Sequence, residues 1–151
     1  MTFDLRDHTA DVAVEATAPT LAALFESVAD GLTAASCEAV PETGERFKFT
    51  VTAEGREALL FDYLDRLIYE RDVRLVLPAD HRCAVSGPDD EGSESDDPND
   101  PDDTDAWTVE ASARGVPLGD VAAREIKAVT YSEMALDRRD DGWYAYVVFD
   151  V

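Results

Sequence analysis

At 151 residues the chain suffices for one domain whose core needs no disulfide or metal staple. It carries 34 acidic against 13 basic residues, a net charge of −21, and this disfavours direct, tight nucleic-acid binding through a Lys/Arg patch. The acidic N-terminal stretch with Asp4, Asp7, Asp11 and Glu15 excludes a secretory signal peptide, and the longest apolar run, Trp143 to Phe149, is too short to span a bilayer. A cytoplasmic protein without a membrane segment is expected.

Ten of the carboxylates fall between Gly87 and Asp105, and the rest of the chain still stands at −11. Lys48 and Lys127 are the only lysines among the basic residues. This halophilic composition, acidic and with arginine in place of lysine, looks like adaptation to concentrated salt, where at about 1 M the screening length falls to roughly 3 Å and self-repulsion is tolerated; the alternative is an acidic mesophilic protein with an acidic insert. Cys37 and Cys83 lack Cys-x-x-Cys spacing, so buried free thiols are expected.

In chain order, Phe3 to Leu5 reads as a short edge strand leading into Asp7-His8-Thr9-Ala10-Asp11, a polar cluster of two carboxylates, an imidazole and a hydroxyl. Val12, Val14 and Ala16 then alternate with Ala13 and Glu15, the period-2 pattern of a half-buried strand. The cluster therefore sits on the lip of a rigid element, a placement that suits a metal or phosphate site. The plainer alternative is an Asx- or ST-turn closing onto the strand.

Thr20 is the expected N-cap of a first helix, with Leu21, Leu24, Phe25, Val28 and Leu32 as its apolar stripe. Phe47, Phe49 and Val51 alternate in a strand. A second helix runs from about Glu57 to Arg71, and its Leu59, Leu60, Tyr63, Leu64, Leu67 and Ile68 stripe reads as core. Val73 to Leu77 is expected as a strand closed by Pro78. Arg82 to Ser86 and Trp107 to Ala113 are expected as antiparallel mates. Between them, residues 87–105 have too little apolar content to fold alone and read as an acidic disordered loop. Its Asp100-to-Asp105 run lacks the glycine and glutamate of an EF-hand, which is rejected.

Val116 to Asp120 is expected to lead into a short helical turn through Arg124, followed by a strand through Val129, Tyr131 and Glu133. Lys127 stands where that strand begins, a compact charge suited to a phosphate or carboxylate, or else a solvated strand-end lysine. Asp140-Asp141-Gly142 reads as a hairpin turn with glycine supplying the positive φ. Trp143 to Phe149 reads as a central strand covered on both faces, ending in Asp150-Val151. An aspartate beside a terminal carboxylate on a rigid strand is a repulsive pair that a divalent cation relieves.

Three stretches thus carry polar groups at strand ends: His8 to Asp11, Lys127 to Tyr131, and Phe149 to Val151. In order and spacing they resemble the archease family, with its Asp-His-Thr-Ala-Asp-like opening, its Lys-Ala-(Val/Ile)-Thr-Tyr segment and its C-terminal Asp followed by one aliphatic residue. Ala13, where many members carry glycine, and the long acidic 87–105 insertion are the departures.

The resemblance implies an α+β fold over 1–151 as a single domain, a mixed sheet of about six strands flanked by two helices. It implies a divalent-metal site, commonly calcium, held by Asp11, Asp150 and the carboxylate of Val151. Lys127 is then a phosphate or partner contact, and Asp7, His8 and Thr9 orient Asp11. It further implies a non-catalytic activator of an RtcB-type RNA ligase in tRNA splicing, which promotes ligase guanylylation and turnover and broadens nucleotide use, meeting RNA only through the ligase. The alternative within the family is a chaperone or specificity partner of a tRNA-modifying methyltransferase. A metal-dependent hydrolase is disfavoured, since no Ser/His/Asp or Cys/His arrangement is present and His81 is far from His8 in sequence.

Overall fold

The computed structural model describes residues 2–8, 11–37, 39–87, 106–121, 123–140 and 142–150, with side chains from residue 12 onward except Ser132. The strands are β1 (Thr2–His8), β2 (Asp11–Ala18), β3 (Glu45–Ala53), β4 (Val76–Ser86), β5 (Trp107–Pro117), β6 (Ala128–Arg139) and β7 (Gly142–Asp150). The helices are α1 (Leu21–Ser36) and α2 (Arg56–Arg74), and a 3-10 turn covers Leu118–Asp120. The α+β class and the two helices agree with expectation. The strands number seven rather than about six, and they divide into two antiparallel sheets, β1-β2-β7-β6 and β3-β5-β4.

Both helices are shared between the sheets. α1 packs on β1, β2 and β7 of the first sheet and on β4 of the second, while α2 packs on β3, β4, β5 and β6. In the larger of two apolar clusters, Val14, Val147 and Phe149 meet Leu24, Phe25 and Val28 of α1, Leu60, Tyr63 and Leu64 of α2, and Val109 and Ala113 of β5. Removing such side chains from water contributes about 1.5–3 kcal/mol each. The cluster fixes the helical stripes and the strand parities together.

Local chemistry sets the boundaries. Ala23 N–H donates to the Thr20 hydroxyl at 3.1 Å, closing the N-terminus of α1 as expected. α2 starts with Glu57 and ends with Arg71 and Arg74, charges that suit its dipole. It runs through Arg74, so Val73 is helical rather than part of a strand, and Leu75 in the left-handed region (φ 56) ends it. Pro78 does not close a strand but lies inside β4, opposite Gly115. β4 is an edge strand, where a missing N–H costs no ladder bond.

Among the described residues of the β6–β7 turn, Asp140 has the positive φ, 50, and Gly142 does not. The glycine is needed for room instead, because a Cβ there would come within 2.7 Å of the Ala18 carbonyl oxygen. Cys37 is a buried free thiol, as expected, whereas Cys83 is only half-buried. The expected loop 87–105 lies outside the described residues except for Gly87.

Candidate functional site: one end of the four-stranded sheet

β7 is central in its sheet, flanked by β2 and β6, so its last residue meets the first residue of each neighbour. The register aligns Asp11 with Asp150 and Asp150 with Ala128, and β1 adds His8 opposite Asp11. A single cross-strand row, His8–Asp11–Asp150–Ala128, therefore runs over all four strands at one end of the sheet. Directly opposed positions in antiparallel strands lie about 4.5–5.5 Å apart. Just beyond the row, the Lys127 N–H donates to the Asp150 carbonyl at 2.8 Å, which ties the lysine to the end of β7. The side chains of Lys127 and Asp150 are both exposed.

The three stretches singled out in the sequence thus converge on one edge. Asp7 belongs to the next row, Asp7–Val12–Phe149–Val129, whose other members are core residues. Thr9 and Val151 lie outside the described residues, as do the side chains of Asp7, His8 and Asp11. Among the described residues no three His, Cys, Asp or Glu groups are close enough to hold a metal. Asp150 is the one expected ligand whose side chain is described.

The flanking residues make this end stiff. Next to the acidic row, Ala13 and Val148 are register partners and both are buried. Thr130 pairs with Val148, and its hydroxyl is sealed from solvent with no hydrogen-bond partner. The β6–β7 register breaks directly after Thr130 and resumes at Ala135, with Glu133 at φ 59 inside the irregularity. There Tyr131, exposed, stacks on Phe61 of α2 with ring centroids 4.0 Å apart. Thr130 belongs to the polar Lys127-to-Tyr131 stretch singled out in the sequence, which gave no sign that its hydroxyl would be buried without a partner. Further along the same face, the Tyr144 hydroxyl donates to Glu15 at 2.8 Å.

A second group of polar residues lies between α1 and β4, in an open cleft of about 530 Å³ lined by Asp30, Thr33, Cys37, Glu42, Asp80 and Arg114. Arg114 is committed to the chain itself, donating to the carbonyls of Pro41 and Thr43 at 2.7 Å each.

A core shared by two helices and two antiparallel sheets defines an α+β protein. The archease protein family matches residues 3–151, and the chain belongs to that family. Protein archease of Methanosarcina acetivorans is 29% identical, covering 99% of this chain and 95% of its own. The Pyrococcus furiosus protein archease is 26% identical over 96% of this chain and 95% of its own. Among solved structures, a Methanobacterium thermoautotrophicum protein superposes with a TM-score of 0.76 at 25% identity, covering 99% of this chain and 98% of that one. A Thermotoga maritima archease, described as a possible chaperone, superposes at 0.60 with 22% identity, covering 97% and 94%, and shares the fold.

Proposed function

We propose that this chain is a non-catalytic activator of an RtcB-type RNA ligase in tRNA splicing. It promotes ligase guanylylation and turnover and broadens nucleotide use, acting through the acidic sheet end. The observation that carries this reading is the cross-strand row that sets Asp11 beside Asp150. Two anionic positions on adjacent strands, with a hard all-oxygen donor set, fit a divalent cation of the calcium class. Asp11, Asp150 and the carboxylate of Val151 would hold it. When bound, the ion supplies a positive centre for triphosphate oxygens.

The chain's own residues do the rest. β7, held on both sides, fixes the Asp150 backbone, so little entropy is lost when this end docks beside the ligase's nucleotide site. Lys127, tied to Asp150 through the main chain, offers its ammonium to a phosphate or a ligase carboxylate. His8, opposite Asp11 on β1, would orient it together with Asp7 and Thr9. RNA is met only through the ligase, in keeping with the acidic charge.

The test measures ligase guanylylation and multiple-turnover RNA joining in high salt, with and without this protein. Wild type is expected to stimulate both. Asp150→Ala and Asp11→Ala should lose at least about tenfold of the stimulation while keeping the wild-type circular dichroism and melting profile. Normal activation by both variants sinks the site assignment.

One observation favours a second reading, a chaperone of a partner such as a tRNA-modifying methyltransferase: Tyr69, Val73 and Leu75 are exposed around the end of α2. That reading expects suppression of partner aggregation that survives a chelator. A wild type that leaves the ligase unstimulated moves it to the front.

A further inference from the structure

β3 is an edge strand that lacks the usual protection. Only β5 flanks it in its sheet, and the pairing runs without a break from Glu45 opposite Gly115 to Ala53 opposite Trp107. Every second residue of an antiparallel strand turns its N–H and C=O away from its partner. Among the described residues, no other element supplies backbone hydrogen bonds to those groups of β3. Edges are commonly blunted by prolines, bulges or charges. β4 carries Pro78 and a register shift between Ala79 and Arg82, and β6 loses register after Thr130. β3 has only the exposed Arg46 and Lys48, which face away from the buried Phe47 and Phe49.

Beside this edge lies an open groove of about 570 Å³, between Thr50–Thr52 of β3 and Asp62, Asp65, Arg66 and Tyr69 of α2. The four helical positions are spaced i, i+3, i+4 and i+7, so they share one face of α2. Arg66 is already engaged, donating to Glu70 at 3.1 Å and lying over the rings of Phe49 and Tyr69. Asp62 and Asp65 have no cationic partner among the described residues. Burial, with Asp65 beside it, raises the Asp62 carboxyl above its ordinary value. Tyr69 is exposed at the end of the same face.

We propose that the β3 edge takes up an extended basic segment of a partner protein, which pairs with β3 as a further strand and sets Lys or Arg side chains against Asp62 and Asp65. Main-chain hydrogen bonds supply affinity in such strand addition, and alternate side chains supply specificity. Side chains of an added strand alternate between faces. Basic residues at every second position therefore meet α2, while the intervening ones lie on the Lys48 side, where a positive charge is unfavourable. A second copy of this chain is a poorer occupant, since it brings a further net charge of −21 to the contact. The groove belongs to the three-stranded sheet, not to the sheet with the acidic row, so the inference does not rest on the ligase reading.

The probe is a labelled, capped peptide of alternating lysine and threonine, about eight residues long, titrated into the full chain in high salt. Fluorescence anisotropy reads affinity, and amide hydrogen exchange reads the place of binding. The peptide is expected to slow exchange at alternate amides of β3 and to leave β4 and β6 unchanged. The same peptide N-methylated throughout keeps its charge but loses every backbone donor, and should bind at least about tenfold more weakly. The double variant Asp62→Asn, Asp65→Asn should bind the parent peptide about threefold more weakly while melting as wild type does. Equal affinity for the methylated peptide overturns strand addition, and wild-type affinity in the double variant overturns the basic occupant. The proposal also fails if the parent peptide does not bind. It fails equally if the outward amides of β3 are already protected without peptide, by a second copy where protection grows with protein concentration and by the chain itself where it does not.

Discussion

At the scale of single residues, the core contains a polar atom that works against it. Tyr63 is wholly buried, with its ring stacked between Phe25 at 5.7 Å and Phe49 at 6.0 Å, and its hydroxyl finds no partner. Burial pushes its pKa well above the ordinary tyrosine value, with Cys83, Asp30 and Glu26 adding to the shift, so it stays a neutral, unsatisfied phenol. An unpaired buried hydroxyl costs about 1–3 kcal/mol. Tyr63→Phe removes that cost and keeps the stack, and is expected to raise stability by about 1 kcal/mol in urea unfolding; a lower midpoint would reveal a partner for the hydroxyl. The position of Tyr63 in an apolar stripe was legible in the sequence, because spacing reports which face a residue occupies. Whether its hydroxyl finds a partner was not, since that depends on strands far away in the chain. The same holds for Thr130, legible as part of the polar Lys127-to-Tyr131 stretch while the burial of its hydroxyl was not. Gly142 makes the point from the other side: a turn glycine suggested positive φ, whereas the contact that requires it comes from Ala18, 124 positions earlier in the chain.

At the scale of elements, the junction of α1 with β4 is held by Thr33 and His81. The Thr33 hydroxyl lies 2.8 Å from the Pro78 carbonyl and 2.7 Å from His81 Nε2. Donation to Pro78 leaves His81 Nε2–H to donate back to the hydroxyl oxygen. Burial, with Arg46 assisting and Asp80 opposing, pushes His81 down to about 4. The unfolded chain binds this proton at the ordinary histidine value of 6.5. Stability from His81 is therefore complete above 6.5 and falls as pH drops towards 4, by about 1.4 kcal/mol per pH unit. Asp30 on the same junction runs the other way. Burial, reinforced by Glu26, raises it to about 6, so the folded protein takes up that proton before the unfolded chain does, and acid favours the fold between about 6 and 3.8. The two slopes oppose each other over the same window. Asp30→Asn should leave the His81 slope uncompensated, so the variant loses more stability than wild type between pH 6 and pH 4 in denaturant titrations. Parallel curves would show that the two groups are not opposed. β4 was also the element least legible in the sequence. An internal proline normally ends a strand, and only the position of β4 at a sheet edge makes Pro78 acceptable. The helices and β2, β3 and β5 were legible because each has one clear period against a shared core, and β7 because its apolar run is nearly continuous.

At the scale of the whole molecule, charge and architecture are separable. The acidic row is built from strand ends that the core holds in register. Its convergence was foreshadowed by polar groups at three strand ends, but the pairing order that sets β7 between β2 and β6 was beyond any local pattern. The net charge of −21 acts on the fold as a whole. Many of the described arginines are already engaged: Arg66 and Arg74 flank the buried Glu70 on α2, and Arg46 pairs with Asp80. Few cations therefore remain to offset the carboxylates, and mobile counterions must do so. Exposed pairs such as Arg46–Asp80 contribute only about 0–1 kcal/mol each, so screening them costs little, whereas screening the self-repulsion helps every acidic residue. The melting temperature should therefore rise with added KCl, most steeply below about 1 M, where the screening length is still contracting towards roughly 3 Å. A variant lacking residues 88–105 sheds ten carboxylates and stands at −11, so its melting temperature should depend less on salt. Equal salt dependence in the two proteins would place the destabilising repulsion in the folded body, among carboxylates that the cores of β2, β3 and α2 hold in fixed proximity, rather than in the acidic insertion.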